Sequence, residues 1–379
     1  MALLLLIGCH SAPLPTPPSL AEKGKALAKE QKITEAVKTF NQGIAREPDR
    51  PDAYIGLAVL YESVGRPDLA VETLEQLQAA APDAPGLHCR LAEAALGTED
   101  LLLARSEGEK AVQEGTDLVR AHSVYGITLV RFRSWESAAV QLTKAIELLP
   151  DDIEVPLVLM EVYLQQGAYD KAIALGEKYV TRFPQSARLH YRLGLSYTKV
   201  PGKTEQAIAQ LRAAIEVEPG WFEPYAELGR TYKTTGRRDE ALTAFERAWE
   251  LNPGVAGVAF NLADLYRQKK DPRATKHEAI YQRLMKEQEH FTALRRDTNQ
   301  DADTPTTLTL AEQEGKLKRF GTALYRLRRV LQKEPTNRKA LLLAIQLDRQ
   351  ARVGFPDYLR PGPGIGSTLE EDAALSTNQ

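Results

Sequence analysis

Apolar side chains recur along this chain at the three-and-four spacing of amphipathic helices, and the pattern itself repeats about every 34 residues. Prolines close each period at Pro48, Pro82, Pro150, Pro184, Pro219 and Pro253. The place without one is Thr116, inside the turn-like Glu114–Asp117. Twelve residues before each closing point stands an alanine: Ala36, Ala70, Ala104, Ala138, Ala172, Ala207 and Ala241. A small residue usually stands a further twelve before it, at Gly24, Ala58, Ala92, Gly126, Gly194 and Gly229, with Met160 the exception. Tyrosines often follow three residues later, at Tyr61, Tyr163, Tyr197, Tyr232 and Tyr266.

This pattern predicts units of two antiparallel helices. The paired small residues mark where the helices approach most closely, and a larger side chain there would overpack by ~1–3 kcal/mol. Phe40, Leu74, Leu142, Leu211 and Phe245 supply core from the second helix. The closing proline cannot continue that helix and ends the unit.

The spacing resembles the tetratricopeptide repeat family closely, over about residues 17–352. The resemblance implies an all-α, right-handed superhelical solenoid of about nine helix-turn-helix repeats with a C-terminal capping helix. Repeats 1–8 are expected over 17–296. The eighth has an enlarged turn at Gln268–Arg273, a long second helix from about Ala274, and Ala279 as its small contact. A polar linker is expected at 297–303. The ninth repeat and its cap follow at 304–352, opened by Thr304-Pro305 as helix cap and first turn. The Gly/Pro-rich, then acidic, tail over 353–379 is expected to be disordered.

Length agrees with a solenoid, since 379 residues exceed what one compact core holds. The net charge of −2 gives no reason to expect nucleic acid as a partner. That near-neutral total hides an acidic front, net −8 over 1–266, a basic stretch, net +9 over 267–352, and a tail of net −3.

Residues 1–20 read as a signal remnant and a Pro-rich tether. Leu6-Ile7-Gly8-Cys9 resembles a bacterial lipobox, which implies lipidation of Cys9 and an anchor in the cell envelope, at the outer membrane if the cell has two. His10–Leu20, with four prolines, suits a semi-rigid spacer. Two departures stand against the pattern: no basic residue precedes the apolar run, and the run is shorter than a usual signal core. A start codon further upstream accounts for both. The alternative is a cytoplasmic adaptor without an anchor.

No constellation for catalysis, metal or cofactor emerges, so a non-enzyme is expected. His277-Glu278 meets Tyr281 where a zinc-binding helix needs a second histidine. Gly362–Ser367 is glycine-rich but lacks the lysine of a phosphate loop. His88, His122 and His190 share one register position in different repeats, which favours packing over metal. Cys89 reads as a small apolar filler.

In the family the first helix of each repeat lines the concave groove. Carried onto this chain, the groove runs from acidic (Asp52, Glu62, Glu93, Glu154, Glu161) to basic and aromatic (Arg188, Tyr191, Arg230, Lys233, Phe260, Arg267). The latter stretch is the candidate site for an acidic or phosphate-bearing protein segment; ordinary solvated ion pairs are the plainer reading. Some family members clamp a chaperone's C-terminal carboxylate. Arg188 and Arg192 match two clamp positions, but Ser123, Ile127 and Val158 cannot serve at the others. A second basic face, Arg326, Arg329 and Lys333 with Arg328 beside it, is expected to be a solvated outer surface, with lipid head groups or anionic polymer as its functional alternative.

Overall fold

The computed structural model describes residues 19–298 and 303–351, and within these it contains only helices. The lipobox with Cys9, the tether up to residue 18 and the tail after 351 lie outside the described residues. Repeats 1–3 are α1 (Leu20–Lys29) with α2 (Ile33–Arg46), α3 (Pro51–Ser63) with α4 (Pro67–Ala80), and α5 (Leu87–Gly97) with α6 (Leu101–Glu114). Repeats 4–6 are α7 (Leu118–Arg131) with α8 (Trp135–Leu148), α9 (Glu154–Gln165) with α10 (Tyr169–Arg182), and α11 (Ala187–Thr198) with α12 (Thr204–Val217). Repeats 7 and 8 are α13 (Phe222–Thr234) with α14 (Arg238–Leu251) and α15 (Ala256–Gln268) with α16 (Arg273–Thr298). Repeat 9 is α17 (Thr304–Lys316) with α18 (Phe320–Lys333), followed by α19 (Arg338–Ala351).

The close approaches fall where the small residues stand. A Cβ built on Gly126 would lie 2.8 Å from the Leu142 side chain, and one on Gly229 would lie 2.9 Å from the Phe245 ring. Phe40, Leu74, Leu142, Leu211 and Phe245 are all at most 1% exposed, each contributing ~1.5–3 kcal/mol of burial. Every turn inside a repeat carries one residue in the left-handed region. Four of these are glycines, at Gly65, Gly167, Gly202 and Gly236; the other five are Gln31, Glu99, Arg133, Lys270 and Lys318. Each of those five pays ~1–2 kcal/mol of steric strain that glycine would avoid.

Repeat 8 departs from expectation in two ways. Its turn, residues 269–272, is only one residue longer than most, so the helix pair stays closed. Ala279 is exposed and is not the small contact; His277 is buried in its stead, between the rings of Trp249 (5.0 Å) and Tyr266 (5.5 Å). In repeat 9 the cap is Asp303, whose carboxylate accepts from the Thr306 amide at 2.9 Å, one residue earlier than Thr304.

First helices of consecutive repeats touch from α1/α3 through α11/α13, and no such run of contacts joins the second helices. A stack whose first helices crowd together while its second helices splay must curve with the first helices inside. The curve carries repeat 9 round to meet repeats 2 and 3. There α18 lies against α4 and against the turns after α3 and α5. Arg326, Arg328 and Arg329 on the basic face of α18 are therefore not a solvated outer surface, while Lys333 at its end is exposed. Arg328 donates to Glu75 at 2.9 Å and Arg329 to Asp100 at 2.9 Å. Arg326 bridges Glu314 (3.0 Å) and Glu99 (3.4 Å) and is only 15% exposed. From the other side, Arg66 donates twice to Asp68 and once, at 3.1 Å, to Asp348 of α19. Burial pulls against the charge of Arg66, but the two aspartates outweigh it and hold the guanidinium protonated.

Candidate inner-face site

The curvature places the candidate groove residues on the inside of this loop of repeats. Arg188 on α11 reaches back to Glu154 on α9 at 2.7 and 2.8 Å, and Arg192 reaches Glu161 one turn along. Arg230 is held by Glu227 of its own helix. Lys233 on α13 crosses to α15, where it meets Asp264 at 2.6 Å and Asn261 at 3.0 Å. Arg267 pairs with Glu278 on α16 at 3.0 Å and stands apart from the others. Each cation of the candidate stretch thus already holds a carboxylate. The pairs of Arg188, Lys233 and Arg267 are part-exposed, and contacts of that kind contribute only ~0–1 kcal/mol each, so an incoming anion can replace them at small cost; Arg230 keeps its pair with the buried Glu227 and can meet an anion only beside it.

The aromatic members are arranged in two contacts. Tyr191 packs edge-on to Trp221, ring centroids 4.8 Å apart. Burial raises the Tyr191 hydroxyl above its ordinary range, with the Glu227 charge adding to the effect. Phe260 is 45% exposed on the inner side, with Lys233 5.7 Å above its ring and Tyr281 5.2 Å to one side. The sequence reading missed Trp221 and Glu227. Trp221 sits at the cap of α13, outside the first-helix positions used to trace the groove, and Glu227 is buried.

At the acidic end, Glu62 on α3, Arg90 and Glu93 on α5 and Arg120 on α7 form one cluster. Arg90 donates to Glu93 at 3.0 Å and Arg120 lies 3.5 Å from it. Burial, reinforced by the Glu93 charge, pushes the Glu62 carboxyl up to about 7. Its Oε1 is buried with no hydrogen-bond partner among the described residues. Cys89 is 1% exposed, and burial pushes its thiol up to about 12, as suits a packing residue.

The three histidines pair within their own repeats. His88 lies 2.6 Å from Glu107, His122 2.7 Å from Gln141 and His190 2.7 Å from Gln210, each joining a first helix to its second. The recurring tyrosines join neighbouring repeats instead. Tyr197 donates to Glu177, Tyr266 donates to Glu246, and Tyr232 accepts from Arg212.

A tetratricopeptide repeat model matches residues 27–101 and 129–195, and a second matches 222–254. The chain is a tetratricopeptide repeat protein. Human superkiller complex protein 3 is 24% identical to this tetratricopeptide chain over 301 residues, covering 68% of the chain and 19% of that protein. The cytochrome c-type biogenesis protein CycH of Pseudomonas aeruginosa is 32% identical over 127 residues, covering 33% of the chain and 26% of that protein. The chain therefore spans about a fifth to a quarter of the length of these curated relatives. Among solved structures, a tetratricopeptide repeat protein from Parabacteroides merdae aligns over 65% of this chain and 96% of its own, with a TM-score of 0.50 at 15% identity. That likeness concerns the repeat-solenoid fold.

Proposed function

We propose that this tetratricopeptide protein is a non-catalytic scaffold that holds an acidic or phosphate-bearing segment of a partner protein against its inner face. The observation that carries the reading is Phe260, a large aromatic ring 45% exposed inside the curve with the Lys233 ammonium above it. Exposed aromatic area beside exchangeable cations is the composition of a protein-binding hot spot. Tyr191, Trp221, Arg188 and Arg230 extend the same surface toward α11. A relative named for membership of a multiprotein complex, the superkiller complex, supports a role in assembly over one in turnover. A photo-crosslinking amino acid at Tyr191 is expected to trap the same partner as one at Phe260, whereas one at the exposed outer position Val140 traps none. Equal trapping from Val140 would remove the inner face from the account.

The scaffold is proposed to be held at a bacterial cell envelope by a lipid on Cys9, through the Leu6–Cys9 motif and the proline-rich spacer. The alternative is a cytoplasmic adaptor of the same architecture without the anchor. Palmitate labelling of the protein made from its natural gene separates the two. Label lost in Cys9→Ser supports the anchor, and an unlabelled wild type rejects it.

A further inference from the structure

A second concave feature lies away from the inner face, on the outer side of the curve, where the second helices α14 and α16 run past each other. It is a cavity of about 490 Å³, within the range that receives a small molecule or an anchoring side chain. Its apolar walls are Trp249, Ile280 and Leu284, all half-buried, with Pro253 at the rim. Lys276, Ile280, Arg283 and Leu284 fall at i, i+4, i+7 and i+8 on α16, one continuous stripe of that helix.

The charge at this cavity is one-sided. Lys276 and Arg283 line it and no carboxylate does. Among the described residues Arg283 meets only Glu287, loosely at 3.8 Å, and both side chains are about two-thirds exposed. The remaining polar group is His277, which is 7% exposed. Its Nδ1 is buried without a hydrogen-bond partner among the described residues, which is unfavourable until something supplies one. Seven residues of helix separate the two cations, ~10 Å along the axis. One small carboxylate cannot meet both. Two carboxylates at i and i+4 of an extended segment, ~13 Å apart on one face with the residue at i+2 midway between them, can, the long Lys276 and Arg283 side chains taking up the difference.

We propose that this cavity docks an extended segment of a partner protein in which one large apolar side chain enters between Trp249 and Leu284 and an acidic residue on each side meets Lys276 and Arg283. The surface is distinct from the inner face, so the scaffold would engage two segments at once.

The test is selection of a displayed random heptapeptide library on the full chain, with counter-selection on Lys276→Glu/Arg283→Glu. Both side chains are exposed, and a matching thermal melt verifies that the variant folds. Enriched peptides are expected to share an apolar residue flanked by acids. Synthesised, such a peptide should shift the Trp249 emission of a Trp135→Phe/Trp221→Phe protein. It should lose at least tenfold in affinity both on the charge reversal and when its acids become Asn and Gln. It should bind unchanged to Arg230→Glu/Lys233→Glu, which separates this site from the inner face. Absence of that motif among enriched peptides, or equal affinity for the charge-reversed variant, overturns the proposal. Saturable binding of laurate with no peptide enriched also overturns it, in favour of a site for small amphiphiles.

Discussion

The Tyr325 hydroxyl donates to Asp100 at 2.7 Å, across 225 residues of chain. Arg329 donates to the same carboxylate oxygen, and Thr322 donates to the Gly97 carbonyl beside it. These contacts make the curve of repeats a closed loop. They also explain the split of charge along the sequence: the basic ninth repeat is the counterpart of an acidic edge on the second and third.

The tightest point of the closure is Gly321. A Cβ there would fall 2.5 Å from Pro67 Cδ and 2.9 Å from the Gly65 carbonyl oxygen. Within α18 itself alanine is better than glycine by ~1 kcal/mol. Gly321→Ala is therefore expected to strengthen the helix and loosen the closure. Hydrogen exchange should quicken at 97–100 and at the inward face of α18, and the helices α9–α13 should be unaffected. Unchanged exchange at 97–100 would show that the contact tolerates the extra carbon.

Closure through Arg–carboxylate pairs also predicts sensitivity to salt. Raising ionic strength from ~0.1 to ~1 M shortens the screening length from ~10 to ~3 Å. The part-exposed pairs of Arg328 and Arg329 weaken first, and the buried Arg66–Asp68 pair is screened least. A radius of gyration from X-ray scattering is expected to grow with salt in wild type and to be already enlarged in Arg328→Glu/Arg329→Glu. A compact, salt-insensitive variant would contradict this.

Glu62 gives a pH dependence of definite sign. Its carboxyl sits near 7 in the folded chain against an ordinary 4.5. The folded state therefore binds more protons between those values, and stability falls as pH rises from about 4.5 to about 7. Burial raises Glu72 and Glu93 in the same direction, so wild type must be compared with Glu62→Gln. The variant should melt higher than wild type at pH 8 and show no such advantage at pH 4. A constant difference between the two melting curves across that range would remove Glu62 as the titrating group.

Phe40 fills the space that two glycines leave. Cβ atoms on Gly24 and Gly56 would come to 2.6 and 2.4 Å from its ring. Gly56→Ala is expected to destabilise the protein by ~1–3 kcal/mol through overpacking. Phe40→Leu opens a void of its own, yet the double variant should be more stable than the sum of the two changes predicts, by ~1 kcal/mol in a denaturant-unfolding cycle. Strict additivity would mean that the ring does not set the spacing of these helices.

The repeat architecture was legible in the sequence because each helix pair is a local solution. The small residues, the core positions on the second helix and the closing prolines all act within about 34 residues. Ala279 misled because α16 places His277, two residues earlier, in the position expected of a small contact. The closure was not legible. Arg326, Arg328 and Arg329 have the spacing of any solvated helix face, and only the summed curvature of the preceding repeats brings Glu75, Glu99 and Asp100 to them. The charge asymmetry was the one sequence signal of it. The inner-face residues were located by register, but their standing ion pairs depend on which repeats stack, as with Lys233 and Asp264.

The account rests on the inner face as a place where another protein binds. Its most direct test is calorimetric titration of the partner segment trapped from Tyr191 or Phe260 into wild type and into Arg230→Glu/Lys233→Glu. The account predicts at least a tenfold loss of affinity in the variant, reduced further by neutralising the segment's acidic residues. The same affinity for both proteins would contradict it.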